Sequence, residues 1–480
     1  MSRLRAKKTR RKQRRSGARR RLRFGPPDAS LTGCSGLAAV TALVDKLGLT
    51  TASDRHVGEV KQRKRGLSTG EFLLGSACAQ LTGQATLSGL DRLRLDKAGE
   101  ELAPAPFPAP RTAGRTAALF SEKDLAGVEA AVAEVVARWL GWLPAQKRCE
   151  LSRRRPTIDL DATDVEVYGR KKRGVARTFD GKLAGRPHLA SWAEAGLVLA
   201  GDLMSGDEDV RPRCVGLLRR ALAALPAQVC APPVVRADSG YFTGELAHAA
   251  VEAGCDFAIA AKRNPAFWRA YAAVPEEAWV PARDMHGAQV AAVDYAPAGW
   301  PGGSYTIVRR VKVTASEISA DPRSRRRRTI PEDQLALALE GVADHAWAVN
   351  FVVTNLPADN GADVVGIEAW FRRRADVETR IKEAKLGAGL RHLPSADPAV
   401  NRVWTWAAIL AGILSTMLQS LARIDTDKGR AHGDRLRHEL LNVPARVTHH
   451  ARDTVVRLPP GRHELLPAVL ARLHALPAGP

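Results

Sequence analysis

The chain has 480 residues, with 73 Lys and Arg against 51 Asp and Glu, a net charge of +22 and an apolar fraction of 45%. That length accommodates roughly two to four domains with real cores. The basic excess selects a polyanionic partner, nucleic acid ahead of an anionic membrane, and fits a sugar substrate poorly.

Residues 1–24 hold thirteen of the cations and no acid, leaving about +9 elsewhere. Residues 1–28 end in Gly25-Pro26-Pro27 and read as a disordered basic tail able to bind phosphates without sequence preference. The N-terminus lacks an apolar h-region, so no secretory signal is expected. Cys34, Cys78, Cys149, Cys214, Cys230 and Cys255 form no C-x-x-C pair, and free thiols in a reducing compartment are expected.

Residues 29–150 show helical periodicity and form a candidate DNA-binding region. Ser68-Thr69-Gly70-Glu71 is a capping box ahead of Phe72-Leu73-Leu74. Gly83 ends that helix, and a second runs from Thr86 to Leu95 with Arg92 and Arg94 outward. A pair with a basic second member can enter a DNA groove, although most helix pairs do not. Ala103 to Pro110 alternates Ala and Pro and reads as a linker or extended connector. Lys123 to Leu140 is a further helix.

At Thr157 the period changes. Asp159, Asp161 and Thr163 fall on one face of a strand, with Ile158, Leu160 and Ala162 on the other. Strands at about 186–192 and 196–203, a helix at 207–225, a strand at 234–238 ending in Asp238, a helix at 244–253 and a strand at 257–261 complete a first core segment, 151–262. Residues 263–345 change texture to short alternating runs punctuated by Pro and Gly, with a basic block at 323–328. They read as a β-rich insertion. An apolar strand at 346–356 and a helix at 367–385 form a second core segment, 346–395. Residues 396–480 form a C-terminal helical region with alternation at 445–458. Val403 to Leu418 is the longest apolar run but is broken by Thr405, Ser415 and Thr416, so it is expected as a buried helix and not a membrane span.

The helix expected at 367–385 aligns Phe371, Arg374, Glu378 and Lys385 on one arc, with Trp370, Val377 and Ile381 beside it. Asp376 and Glu383 point away. Asp161, Asp238 and Glu378 then make a converging carboxylate set. Carboxylate oxygens suit two Mg²⁺ or Mn²⁺ ions, which activate an attacking hydroxyl and steady the leaving oxygen in phosphoryl transfer. Arg374 and Lys385 would hold flanking phosphates. The plainer reading is a surface helix with ordinary ion pairs and strand-end Asp residues that cap turns. No G-x-x-x-x-G-K-[ST] loop and no H-E-x-x-H occur, and His449-His450 lacks a spaced partner.

The spacing Phe371-x2-Arg374-x3-Glu378-x6-Lys385 resembles the third motif, Tyr-x2-Arg-x3-Glu-x6-Lys, of bacterial insertion-sequence DDE transposases with an RNase H-like core. Phe371 replaces Tyr, which removes the phenol's phosphate hydrogen bond and keeps the aromatic packing. Leu160-Asp161-Ala162-Thr163 is similar to the family's first-Asp strand, and Arg236 to Phe242, RADSGYF, to its second. Thr354-Asn355-Leu356 and the insertion also match. The resemblance implies a mixed α/β fold with an RNase H-like catalytic core. It makes Asp161, Asp238 and Glu378 catalytic metal ligands, and Phe371, Arg374 and Lys385 DNA-binding residues. It implies binding of terminal inverted repeats, metal-dependent cleavage and strand transfer by a homodimer on DNA, in a nucleoid-associated cytoplasmic protein. In relatives the insertion can carry an aromatic that stacks on a flipped base; Trp279 and Trp300 are candidates here, against a plain core role. Asp159 is either an auxiliary ligand or a neighbour whose charge is balanced by a Lys. A catalytically silent repressor and a host nuclease with the same core are the rival readings.

Overall fold

A computed structural model describes residues 22–62, 65–169, 171–322, 324, 326–374, 389–424 and 433–477. Residues 1–21, most of the basic tail, lie outside the described residues.

After a two-residue strand β1 (Leu31–Thr32), the chain forms helices α1 (Leu37–Leu47), α2 (Leu49–Val57), α3 (Thr69–Leu81), α4 (Gly89–Leu95), α5 (Lys97–Glu101), α6 (Pro110–Ala117), α7 (Glu122–Trp142) and α8 (Ala145–Arg153). The start of α3 is the capping box read from the sequence: Ser68 Oγ accepts from the Glu71 amide at 3.1 Å, and Glu71 Oε2 accepts from the Ser68 amide at 2.6 Å. Two otherwise orphaned amides are satisfied reciprocally. A second box, Ser121 with Asp124, starts α7. Helix α7 buries Val128, Val132, Val135, Val136 and Trp139, the spacing of one helical face. The Ala-Pro stretch is an extended connector, but it is packed and not solvated: Ala105 and Phe107 are buried.

The next segment carries β2 (Thr157–Ala162), β3 (Val165–Glu166), β4 (Ala176–Arg177), β5 (Leu183–Trp192), β6 (Leu197–Ser205), α9 (Arg211–Ala223), β7 (Val234–Ala237), α10 (Gly244–Glu252) and β8 (Asp256–Ala260). Strand β5 pairs antiparallel with β2 and β6, whereas β7 pairs parallel with both β2 and β8. The resulting order, β6-β5-β2-β7-β8, is the RNase H-like arrangement. Strand β7 is buried along its whole length, and β8 at Phe257, Ala258 and Ile259.

Then follow α11 (Pro265–Ala272), β9 (Val280–Pro281), β10 (Ala288–Val293), β11 (Tyr305–Thr314), α12 (Glu332–Leu339) and β12 (His345–Thr354). Strand β12 pairs antiparallel with β8, and β11, β10 and β9 continue outward from it. The insertion thus widens the core sheet rather than forming one of its own. Helix α13 (Gly361–Arg372) follows β12.

Helix α14 (Pro398–Leu421) is the hub of the molecule. It is long and apolar enough to cross a membrane by composition, yet 83% of its apolar window is buried in the fold. It touches α3, α7 and β6. Gln80 Nε2 donates to the Trp404 carbonyl at 3.0 Å, and Trp139 Nε1 to Ser420 Oγ at 2.9 Å. Each large side chain it buries contributes roughly 1.5–3 kcal/mol. After the short α15 (Gly433–Leu436), β13 (Ala445–His450) and β14 (Asp453–Arg457) form a hairpin, and α16 (Leu465–His474) packs on α1. Strand β1 adds to that hairpin, Thr32 opposite Ala445. Gly36 permits this closure, since a Cβ there would lie 2.0 Å from the Leu440 carbonyl oxygen.

Candidate active site

Strand β2 places Ile158 and Leu160 in the core and turns Asp159 and Asp161 to the other face. The parallel register pairs Leu160 with Ala237, so Asp161 and Asp238 come next, side by side, as the two strands leave the sheet. Neighbouring strands are about 4.8 Å apart. Asp238 begins a tight turn over Ser239–Tyr241, accepting from the Gly240 amide at 2.8 Å. Gly240 suits that turn, because a Cβ would sit 2.9 Å from Asp238 Oδ1.

Arg374 serves both carboxylates. Its Nη1 donates to Asp161 Oδ1 at 3.1 Å, and its Nη2 lies 3.9 Å from Asp238 Oδ2. Burial pushes the Asp161 carboxyl up to about 6; Arg374 works against that rise, and the neighbouring Asp238 adds to it. Beneath the pair, Tyr241 stacks on His188, ring centroids 5.6 Å apart. Burial lowers His188 to about 4, so it is a neutral wall at neutral pH. The Tyr241 hydroxyl is held well above its ordinary value by burial, then by Asp161 and Asp238.

Asp159 has a different partner. Arg236 grips it with Nε to Oδ1 at 2.6 Å and Nη2 to Oδ2 at 2.9 Å, both side chains buried. The same guanidinium donates from Nη1 to the Trp370 carbonyl at 2.6 Å and lies 5.0 Å from the Trp370 ring centre. Of the two roles open to Asp159, the geometry is that of the charge-balanced neighbour, with Arg236 in place of the expected Lys. Its partner Arg236 stands inside the second motif, in a strand otherwise apolar, and that isolated cation was the signal available in the sequence.

The helix carrying Phe371 is shorter than its sequence pattern predicts in the described residues: α13 ends at Arg372. A continuing helix would have the Arg374 amide bond the Trp370 carbonyl. That carbonyl accepts from Arg236 at 2.6 Å and from the Arg373 amide at 3.2 Å, and the Arg374 amide bonds Phe371 instead, at 3.0 Å. The turn tightens there, which swings Arg374 toward the carboxylates. Phe371 itself is partly buried, packed against the cluster of Val234, Ile307 and Val364. Glu378 and Lys385 lie outside the described residues. Helix α13 is tied to the insertion by Glu368, buried between Arg309 at 2.7 Å and Arg372 at 2.9 Å.

The aromatic candidates in the insertion are packing residues. Trp279 is buried, with the Arg310 guanidinium 4.1 Å from its ring centre and Tyr271 against it. Trp300 packs on Phe242 at 5.0 Å and Phe257 at 5.7 Å.

Asp161 and Asp238 offer oxygen donors to one point, which is what Mg²⁺ or Mn²⁺ requires. That a single guanidinium serves both marks the point as one that calls for positive charge. No group of three or more His, Cys, Asp or Glu able to hold a metal gathers among the described residues.

A family model described as "Transposase DDE domain group 1" matches residues 16–323 and 335–478. No curated protein matches the chain. Among solved structures, the chain is similar to one described as "Cryo-EM structure of piggyBac transposase synaptic complex with hairpin DNA", with a TM-score of 0.37 and 10% identity, over 85% of this chain and 79% of that one.

Proposed function

Because the chain belongs to the transposase DDE domain group 1 family, we propose that it binds the terminal inverted repeats of a mobile element as a homodimer on DNA. It then cleaves and rejoins DNA at the Asp161–Asp238 site by cut-and-paste transfer. The observation that carries this reading is the adjacency of the two carboxylates at the ends of parallel neighbours, served by one arginine.

In this reading Asp161 and Asp238 hold Mg²⁺ or Mn²⁺, with Glu378 as the third ligand. Bound there, the ions lower the pKa of the attacking hydroxyl and stabilise the leaving oxygen. The chain's own residues do the rest. Arg374 leaves the carboxylates for the DNA phosphate, keeping charge balanced in the site as substrate enters. Lys385 holds a flanking phosphate, and Phe371 supplies a packed aromatic wall without a phenol. The pair formed by Tyr241 and His188 excludes water from below. Arg236, by fixing Asp159 and the Trp370 carbonyl together, keeps the end of α13 in register with β2.

The test compares Glu378→Gln with Glu383→Gln on a pre-formed end substrate, reading Mg²⁺-dependent cleavage and gel-shift affinity. Glu378→Gln is expected to abolish cleavage and keep binding, and Glu383→Gln to behave as wild type. Equal losses, or substantial cleavage by Glu378→Gln, would overturn the site. Cleavage without joining would favour the nuclease reading.

A further inference from the structure

Between β2 and β5 the chain makes an excursion that the mechanism above does not use. Its two short strands extend the large sheet at the start of β5, over a small apolar cluster. Strand β3 lies along one edge of the start of β5 and β4 along the other. Val165, Val167 and Leu393 are buried beneath it, with Val175, Leu183 and Leu203 packed around them. The Arg173 amide bonds the Ala396 carbonyl at 3.1 Å, so the flap is fastened to the segment that follows Glu378 and Lys385.

Its outer end is unlike the rest of the surface. Tyr168 is 84% exposed and Phe179 is 96% exposed; apart from Leu22 and Phe24, these are the most exposed large apolar side chains among the described residues. They share one tip. The Val167 amide bonds the Leu183 carbonyl at 2.8 Å, and Thr178 bonds Lys182 at 2.8 Å, which brings Tyr168 and Phe179 to either side of Lys182. Lys171, Arg177 and Lys182 are exposed around them. Residues 163–182 carry six cations against three acids. Two bare aromatic faces among cations do not serve folding, since solvation of those rings costs free energy that the native packing leaves unrecovered.

We propose that this flap is a further DNA contact, in which Tyr168 and Phe179 stack on unpaired nucleotides while Arg177 and Lys182 neutralise the adjoining phosphates. Aromatic stacking with flanking cations is the way proteins hold unpaired strands without reading sequence. The tip stands seven residues along the chain from Asp161, roughly 20 Å in extended conformation. That reach corresponds to about six nucleotides of duplex rise from the carboxylates. The flap would therefore grip DNA that has opened beside the cut. This inference rests on the reading of the chain as a DNA-cleaving enzyme.

The experiment uses the full chain and two fluorescein-labelled probes, a thymidine homopolymer and a mixed-sequence duplex of equal length, read by anisotropy. Tyr168→Ala/Phe179→Ala is expected to weaken homopolymer binding about tenfold and to leave duplex binding within about twofold. Both rings are solvated, so its thermal midpoint should match wild type. Arg177→Ala/Lys182→Ala should lower the slope of log affinity against log salt by about 1.4 on the homopolymer. Equal homopolymer affinity for the aromatic double variant and wild type would overturn the proposal. So would a loss of self-association in light scattering with DNA affinity intact, which would make the tip a contact between copies. Failure of the wild type to bind either probe would sink the DNA reading and this inference with it. Intact binding by wild type without cleavage would sink only the former's chemistry.

Discussion

Asp159 and Asp161 stand two residues apart on the same face of β2, and each meets an arginine, yet the two ion pairs are built for opposite ends. The Asp159 pair is closed: bidentate, with side chains 0% and 3% exposed, and with the third arm of Arg236 spent on a backbone carbonyl. The Asp161 pair is open: one hydrogen bond, side chains 14% and 18% exposed, and a guanidinium shared with Asp238. A closed pair fixes geometry, because breaking it would leave a buried charge. An open pair with a divided cation can exchange that cation for another. One face of the strand thus carries a locked ion pair and, two residues on, an exchangeable one.

The sharpest way to break this comparison is to neutralise each aspartate in turn. Asp161→Asn should cut Mg²⁺-dependent strand cleavage by about a thousandfold or more, equivalent to about 4 kcal/mol of barrier, without lowering the melting temperature. Asp159→Asn should do the reverse, costing about 3–5 kcal/mol of stability because Arg236 is left buried and unpaired. Replacing both, as Asp159→Leu with Arg236→Met, should recover much of that loss, read by denaturant titration. Similar stability losses at 159 and 161 would erase the distinction.

A smaller effect separates the pairs by pH. The Asp161 carboxyl titrates near 6 when folded, raised from its ordinary value by burial. A carboxyl raised on folding favours the folded state most below about pH 4, and that contribution is lost as pH climbs to about 6. Metal binding needs the ionised form, so Mg²⁺ should protect the fold above pH 6 and not below 4. Wild type minus Asp161→Asn, in thermal melts at the two pH values with and without Mg²⁺, should isolate a difference of about 3 kcal/mol. The smallest expected effect is at Phe371→Tyr. The ring is partly buried against the sheet, so stability should move by no more than about 0.5 kcal/mol. Any change in end affinity would then report a new phosphate contact.

Much of the frame was readable from pattern. The shift from helical to alternating period at Thr157 marks the first core strand, and the Ser68–Glu71 box marks a helix start, because both depend on neighbours in sequence. The carboxylates of Asp161 and Asp238 were legible for the same reason, each ending a short apolar strand. What stayed hidden depends on partners far along the chain. The end of α13 at Arg372 coincides with a hydrogen bond from Arg236, far along the chain, to the Trp370 carbonyl, which no local propensity encodes. Trp279 looks like a free aromatic in a Pro-rich stretch until Arg310 is seen against its ring. The exposed tip of the flap was equally invisible, since nothing in the order of Tyr168 and Phe179 says which way they face.

The hydrogen bond from Gln80 to Trp404 joins residues 324 positions apart. A ribosome adding about 5–20 residues each second needs between about 15 and 65 seconds to cover that distance. Through that interval α3 and its neighbours have been made, but the helix that completes their core has not. Their apolar faces must wait, in water or on a chaperone. A nascent chain released before residue 404 would therefore lack the helix that covers α3.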